Sequence, residues 1–277
     1  MSANTSDAEN PVYIMGKTSG EYARLKRQAQ AWAPMTKSVL ERAGIAPGMR
    51  CLDAGCGPGE VMRLMAGYVG PAGVIVGLDT DATIGAEAIL ALHGAGFSQC
   101  RFCHADLLAI EHIDEAPFDL VFARLLFFHL RNPTEALRRL YNWVKPGGRL
   151  VIQDYDTTAV DTEPTHEVLA EFKTVWSGVC AKAGLDERIG LRLPHLFLEA
   201  AIGRPDGTDV AGLLLPMNVS AQMVTAIYRS VLPLALQFGL TTKERSDWFC
   251  EQIAGPALAD RYFRWPLLMS VWKQKPL

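Results

Sequence analysis

The sequence predicts an α/β fold, an open and mostly parallel sheet with helices packed on it. Two observations carry the prediction. The first is residues 49–61, MRCLDAGCGPGEV, a short apolar run that ends in an acid and leads into glycines at 55, 57 and 59. The second is the order of the segments downstream: runs at 74–78, 100–104, 118–123 and 149–153 suit strands, and helix-length segments separate them. Strands that read as continuous apolar runs are buried on both faces, as parallel strands are when crossover helices cover them.

Composition sets the bounds. At 277 residues and 49% hydrophobic content the chain can bury one large core, or one core with a cap. A net charge of −3 with no long basic run gives no electrostatic support for nucleic acid as a partner. No apolar run approaches the roughly 20 residues needed to cross a bilayer, and the polar start MSANTSDAEN lacks a signal peptide's apolar region. The expectation is a cytoplasmic protein without a membrane partner; homo-oligomerisation is left open. Six scattered cysteines do not suggest a disulfide scaffold. Cys100 and Cys103 form a C-x-x-C, but no second pair accompanies it, so structural thiols and no metal are expected.

Along the chain, residues 1–10 read as disordered. Thr18 or Ser19, with Glu21 or Tyr22, opens a helix in which Tyr22, Leu25, Ala29 and Trp32 follow helical spacing. It precedes the sheet and is free to fold across a ligand mouth. Arg24 and Gln28 stand one turn apart on one face, suited to a carboxylate or to a solvated surface. A second helix, 34–43, ends at Gly44 as its cap. After the first strand the glycines make a tight turn that lets backbone approach a ligand, and a helix opens near Glu60 with its N–H groups facing that ligand. Asp53, at the strand end, suits a cationic or hydroxylated group.

The second strand ends at Asp79, one βα unit after the turn, where a carboxylate can accept from both hydroxyls of a ribose. Thr80 lies beside it, toward the base. A helix over 83–93 stops at Gly94 and Gly96, and the alternating third strand leads into Ala105-Asp106-Leu107. Strand four, a helix over 133–143, the break Lys145-Pro146-Gly147-Gly148 and strand five come next. Asp154, Tyr155 and Asp156 then stand at a strand's carboxyl end, where such sheets bind ligands. Further on come a helical insertion with Phe172, Val175, Trp176 and Val179 at helical spacing, a helix over 191–201 containing His195, strands over 208–215 and 266–273, and a helical block over 221–262. Insertions of this kind tend to build a substrate roof.

The glycine spacing discriminates between ligands. A dinucleotide fingerprint places its third glycine where Glu60 stands. An acid over a pyrophosphate is repelled, whereas a ligand without phosphate meets no such penalty. The D-x-G-x-G-x-G actually present resembles the first motif of class I S-adenosylmethionine-dependent methyltransferases. The acidic end of strand two, the FDLV run, the helix after it and the KPGG turn resemble the same family in the same order. The resemblance implies a Rossmann-like, seven-stranded, mostly parallel sheet with an antiparallel last strand, an N-terminal helical cap and helical insertions. It implies one domain over 1–277, divided into a cap (1–45), a cofactor-binding core (46–156) and substrate-side helices with the last strands (157–277). It implies S-adenosylmethionine as cofactor, held by Asp53, Gly55, Gly57, Gly59, Asp79 and Thr80. Asp106 is then placed at the adenine amino group with the Leu107 backbone beside it, Arg124 at the methionine moiety, and Tyr13 as an N-terminal aromatic over the methionine end.

Displacement at a sulfonium methyl releases a neutral sulfide, so the protein mainly positions an acceptor and removes its proton where needed. Candidates for that proton are His129, Asp154 and Tyr155; His129 also fits a packed histidine bonding backbone. Aromatic additions and near-neutral charge favour a small, partly hydrophobic acceptor of the natural-product or quinone kind, with O, N or C as the receiving atom. Two alternatives are a nicotinamide-dependent oxidoreductase, and a protein that binds the cofactor and transfers nothing.

Overall fold

The computed structural model describes residues 19–277. Tyr13 and the expected disorder of 1–10 lie outside the described residues. The chain opens on α1 (Ser19–Arg42), a single helix where two were predicted. Pro34 removes only one backbone donor, and the buried stripe of Trp32, Thr36, Val39 and Leu40 runs through it, so packing on the sheet carries the helix past the proline.

The nucleotide-type core continues as β1 (Arg50–Ala54), α2 (Glu60–Val69), β2 (Val74–Asp79), α3 (Ala82–Gly94), β3 (Cys100–His104), β4 (Phe118–Arg124), α4 (Pro133–Asn142) and β5 (Val144–Asp156). Local chemistry fixes the helix starts. Asp81 accepts from the Thr83 and Ile84 N–H groups to cap α3, and Asn132 accepts from Glu135 N–H at α4, whose first residue is Pro133. The predicted break at 145–148 lies inside β5 as an irregularity: Phe118 pairs with Val144 but Leu120 pairs with Arg149.

Beyond it come β6 (Asp161–Glu163), α5 (Glu167–Ala183), α6 (Ile189–Glu199), β7 (Gly207–Ala211), β8 (Leu214–Pro216), α7 (Met217–Gln237), α8 (Lys243–Ile253), β9 (Tyr262–Arg264) and β10 (Leu267–Gln274). The strand predicted over 208–215 is two strands, which separate at Gly212–Leu213 and join different sheets. The block predicted as helical over 221–262 starts earlier, breaks at Gly239 and ends in β9.

Seven strands form the main sheet in the order β3-β2-β1-β4-β5-β10-β7, with β10 antiparallel to both of its neighbours. Strand order reverses between β1 and β4, which leaves a crevice at their carboxyl ends. Alternation sends Leu52, Val76 and Val121 to one face and Cys51, Ile75 and Leu120 to the other, each into its own apolar core. Cys100 and Cys103 follow the same alternation to opposite faces, a geometry in which they cannot chelate one ion together.

A third core lies among α1, α5, α7 and α8 and the small sheet β6-β9-β8. At its centre the buried Glu171 carboxylate accepts from Tyr228 Oη (3.0 Å), Thr241 Oγ1 (2.7 Å) and Arg245 Nε (3.0 Å). Helix α7 is the one described helix long and apolar enough to cross a membrane, a candidate that the apolar runs of the sequence did not suggest. It buries Val224, Tyr228, Val231 and Ala235 against this core.

Candidate active site

The glycine turn is built by hydrogen bonds to the neighbouring strand. Gly55 and Cys56 N–H both donate to Leu78 O (2.7 and 3.1 Å), and Gly57 N–H donates to Asp79 Oδ2 at 2.8 Å. Asp79 Oδ1 accepts from Asp81 N–H at 3.0 Å. The glycines differ in what they permit. A Cβ on Gly59 would lie 3.0 Å from Ala88 Cβ of α3, so that position serves helix packing. A Cβ on Gly57 would meet nothing within 4 Å, yet the residue has φ +47°: its conformation favours glycine and its face is open to a cavity.

That cavity, of about 580 Å³, lies at the carboxyl ends of β1, β2, β4 and β5 and is lined at one end by Asp79, Thr80, Asp106 and Leu107. Leu107 is buried, and Asp106 Oδ1 accepts from Leu108 N–H at 2.8 Å. Deeper in stands Asp53, 1% exposed, with Oδ2 lacking a hydrogen-bond partner among the described residues. Burial pushes its carboxyl up to about 7, although the Arg124 guanidinium pulls the other way. An orphaned, buried carboxylate oxygen in an open cavity calls for a cationic or hydroxylated ligand group. Arg124 Nη1 donates to Thr36 Oγ1 (3.0 Å), which donates to Gln153 Oε1 (2.9 Å), while Gln153 Nε2 donates to Ser270 Oγ (2.8 Å). This chain ties α1 to the middle of the sheet.

Helix α1 also closes the cavity from above. Tyr22 Oη donates to Asp81 Oδ2 at 2.8 Å, which with burial pushes the phenol up to about 12. Arg24 and Gln28 both line the cavity, as their spacing allows. Arg24 Nε donates to Glu21 Oε2 (2.8 Å) and Nη2 to Glu21 Oε1 (2.6 Å); Nη1 donates to Gln28 Oε1 (2.5 Å), and Gln28 Nε2 donates to Tyr155 Oη (2.8 Å).

The three predicted proton handlers converge on the middle of the same cavity. His129 ends a 3₁₀ turn over Phe127–His129, its ring edge-on to Phe128 with centroids 5.1 Å apart. Asp154 is fully buried; Oδ2 accepts from Phe128 N–H (3.1 Å) and Oδ1 from Tyr155 N–H (2.8 Å), so it pins the His129 turn to the end of β5. Burial pushes it up to about 7, against those backbone donors. Tyr155 is raised to about 12, mainly by burial, which leaves its hydroxyl a proton donor near neutrality.

The far end is apolar. Phe128, Trp176 and Phe172 stack nearly parallel, with interplanar angles of 10° and 2° and centroids 5.8 and 6.4 Å apart. Val160, Val224, Phe263 and Trp265 complete it. The sequence pattern pointed to Phe172 and Trp176 but missed these last four, whose only local signal is apolarity. His195 stands apart from the cavity, exposed and 3.2 Å from Glu199.

Comparison with known proteins agrees with this geometry. A family described as the methyltransferase domain matches residues 45–201. The chain is 30% identical over 198 residues to the trans-aconitate 2-methyltransferase of Rhizobium rhizogenes, covering 71% of this chain and 72% of that protein. It is 33% identical over 145 residues to the ubiquinone/menaquinone biosynthesis C-methyltransferase of Ectopseudomonas mendocina, covering 50% of this chain and 52% of that one. A Bacillus halodurans structure assigned to the methyltransferases superposes with TM-score 0.58 at 16% identity, over 87% of this chain and 99% of that chain, a likeness of fold. The chain belongs to the S-adenosylmethionine-dependent methyltransferases that act on small molecules. Its cofactor is S-adenosylmethionine, and the open face at Gly57 and the orphaned Asp53 oxygen fit that ligand.

Proposed function

We propose that this enzyme moves the cofactor's methyl group to a small, partly hydrophobic acceptor seated at the aromatic end of the cavity, in secondary metabolism. The observation that carries the reading is that one cavity joins the acid-lined end to the Phe128–Trp176–Phe172 wall. The cofactor supplies an electrophilic methyl on a sulfonium.

The chain's own residues bind, orient and handle the proton. In this reading Asp79 accepts from the ribose hydroxyls, with Thr80 beside the base. Asp106 accepts from the adenine amino group alongside the Leu107 backbone. The glycine turn at 55, 57 and 59 gives close approach, Asp53 accepts from the ammonium, Arg24 and Gln28 face the carboxylate, and Arg124 stands at the methionine moiety. His129 is the side chain suited to take a proton from the acceptor, and Asp154 acts by holding its turn. Chain segments 1–45, 46–156 and 157–277 work as one domain. A balanced net charge supports a small molecule over nucleic acid, and α7, packed on its core, serves the fold rather than a membrane. These features suit a cytoplasmic enzyme.

Incubation with methyl-labelled S-adenosylmethionine and a panel of phenols, enols and aromatic amines tests the reading. Label is expected in a small molecule; labelling confined to tRNA or DNA would refute it.

A further inference from the structure

The direction of donation along α1 fixes where the Tyr155 proton points. A guanidinium only donates, so Gln28 must present its oxygen to Arg24 Nη1 and its amide hydrogens to Tyr155. With Gln28 donating to it, the phenol oxygen is an acceptor on that side and its hydrogen turns elsewhere. Among the described residues the charged groups that act on the phenol, Arg24 and Arg124, only donate, and the nearby indole of Trp32, its ring 5.7 Å from that of Tyr155, offers no acceptor for the hydrogen either. None can take the hydrogen, and Tyr155 lines the cavity.

The space beyond has its own chemistry. The rings of Phe128, Trp176 and Phe172, nearly parallel to one another, line that space. The indole N–H of Trp176 is engaged by Thr157 Oγ1 at 3.1 Å and that of Trp265 by Ser220 Oγ at 3.1 Å. Among the described residues the arginines lining the cavity are Arg24, held by Glu21, and Arg124, which faces Asp53, and no lysine lines it. An anionic acceptor at the aromatic end would be desolvated there without a counter-charge from the protein.

We infer that Tyr155 orients the acceptor by donating a hydrogen bond to it, and that the acceptor is a flat, uncharged ring compound carrying a carbonyl or phenolic oxygen for that bond. This rests on the proposed methyl transfer to a small acceptor. The acceptor's oxygen is the proton's destination; the cofactor carboxylate is the competing one, and the test separates them.

Chromone, naphthalene and the tricarboxylate trans-aconitate serve as probes on the protein saturated with S-adenosylhomocysteine, with binding read by calorimetry and by quenching of tryptophan fluorescence. Chromone is expected to bind about tenfold more tightly than naphthalene, the worth of one hydrogen bond, and trans-aconitate to bind more weakly than either. In Tyr155→Phe saturated with S-adenosylhomocysteine, chromone should fall to the naphthalene level, with naphthalene affinity unchanged. Equal binding of the two rings by the unmodified protein, binding of neither, or preference for trans-aconitate would overturn the inference, whether or not the variant folds. In folded Tyr155→Phe, an undiminished preference for chromone over naphthalene together with a loss of S-adenosylhomocysteine affinity would assign the proton to the cofactor and overturn it too. Failure of the unmodified protein to bind S-adenosylhomocysteine at all would instead remove the reading on which the inference rests.

Discussion

Gly57 N–H donates to the Asp79 carboxylate across 2.8 Å, so the glycine turn after β1 and the acid at the end of β2 form one unit. Asp79 therefore shapes the turn as well as lining the cavity. Asp79→Ala is expected to weaken S-adenosylhomocysteine binding by about 1.5 to 3 kcal/mol, roughly ten- to a hundredfold, as charge-assisted bonds are lost. Calorimetric titration checks this; unchanged affinity would remove Asp79 from the site.

Gly57→Val separates strain from obstruction. The new side chain meets no protein atom within 4 Å, but φ +47° is costly for a β-branched residue, and the methyls enter the cavity. A loss of about 1 to 3 kcal/mol in stability by denaturant unfolding is expected, with cofactor binding falling further than in Asp79→Ala. A folded Gly57→Val protein that binds S-adenosylhomocysteine normally would contradict the close approach.

Asp53 gives cofactor binding a pH dependence of definite sign. Burial pushes its carboxyl up to about 7 in the free protein, and under the proposed role the cofactor's ammonium requires the ionised form. Binding therefore releases a proton below about pH 7, and affinity rises with pH through that range and levels off above it. The same raised value means that the group's stabilising contribution to the free fold, complete below its unfolded value near 4, is lost as pH rises through about 7. Calorimetry in two buffers of different ionisation enthalpy should show nearly one proton released at about pH 6 and little at about pH 8. Asp53→Asn should abolish the release.

Glu171 ties α5 to α7 and α8 and does not line the cavity. Removing a buried carboxylate that satisfies Tyr228, Thr241 and Arg245 is expected to cost about 2 to 4 kcal/mol, part of it for stranding Tyr228. Thermal unfolding of Glu171→Ala should shift down by about 5 to 10 °C, with S-adenosylhomocysteine affinity within about twofold of the unmodified protein.

The sheet was legible because its signals are local. A buried parallel strand, a glycine turn and an acid at a strand end each occupy a few adjacent residues, and Asp53, Gly57, Asp79 and Asp106 all line the cavity where their positions in the strand order put them. What the sequence concealed depends on contacts between distant residues. Pro34 reads as a helix boundary, but burial of Trp32 and Leu40 on either side overrides it. Strands β6, β8 and β9 are three residues each, too short to show a period, and form only because they pair with one another. The orienting chain from Arg24 through Gln28 reaches Tyr155 across 127 positions, so spacing could suggest the first two residues and not the third. The apolar residues of the far wall, such as Val160 and Phe263, look like any core residue until the cavity is seen.

The crevice between β1 and β4 is built for a phosphate-free nucleoside with an amino-acid tail. Calorimetric titration of the purified protein with S-adenosylhomocysteine and, separately, with NAD tests it most directly. Micromolar binding of S-adenosylhomocysteine with little or no binding of NAD is the expected result, since Glu60 stands where a pyrophosphate would need glycine. A folded protein that binds NAD and ignores S-adenosylhomocysteine would contradict it.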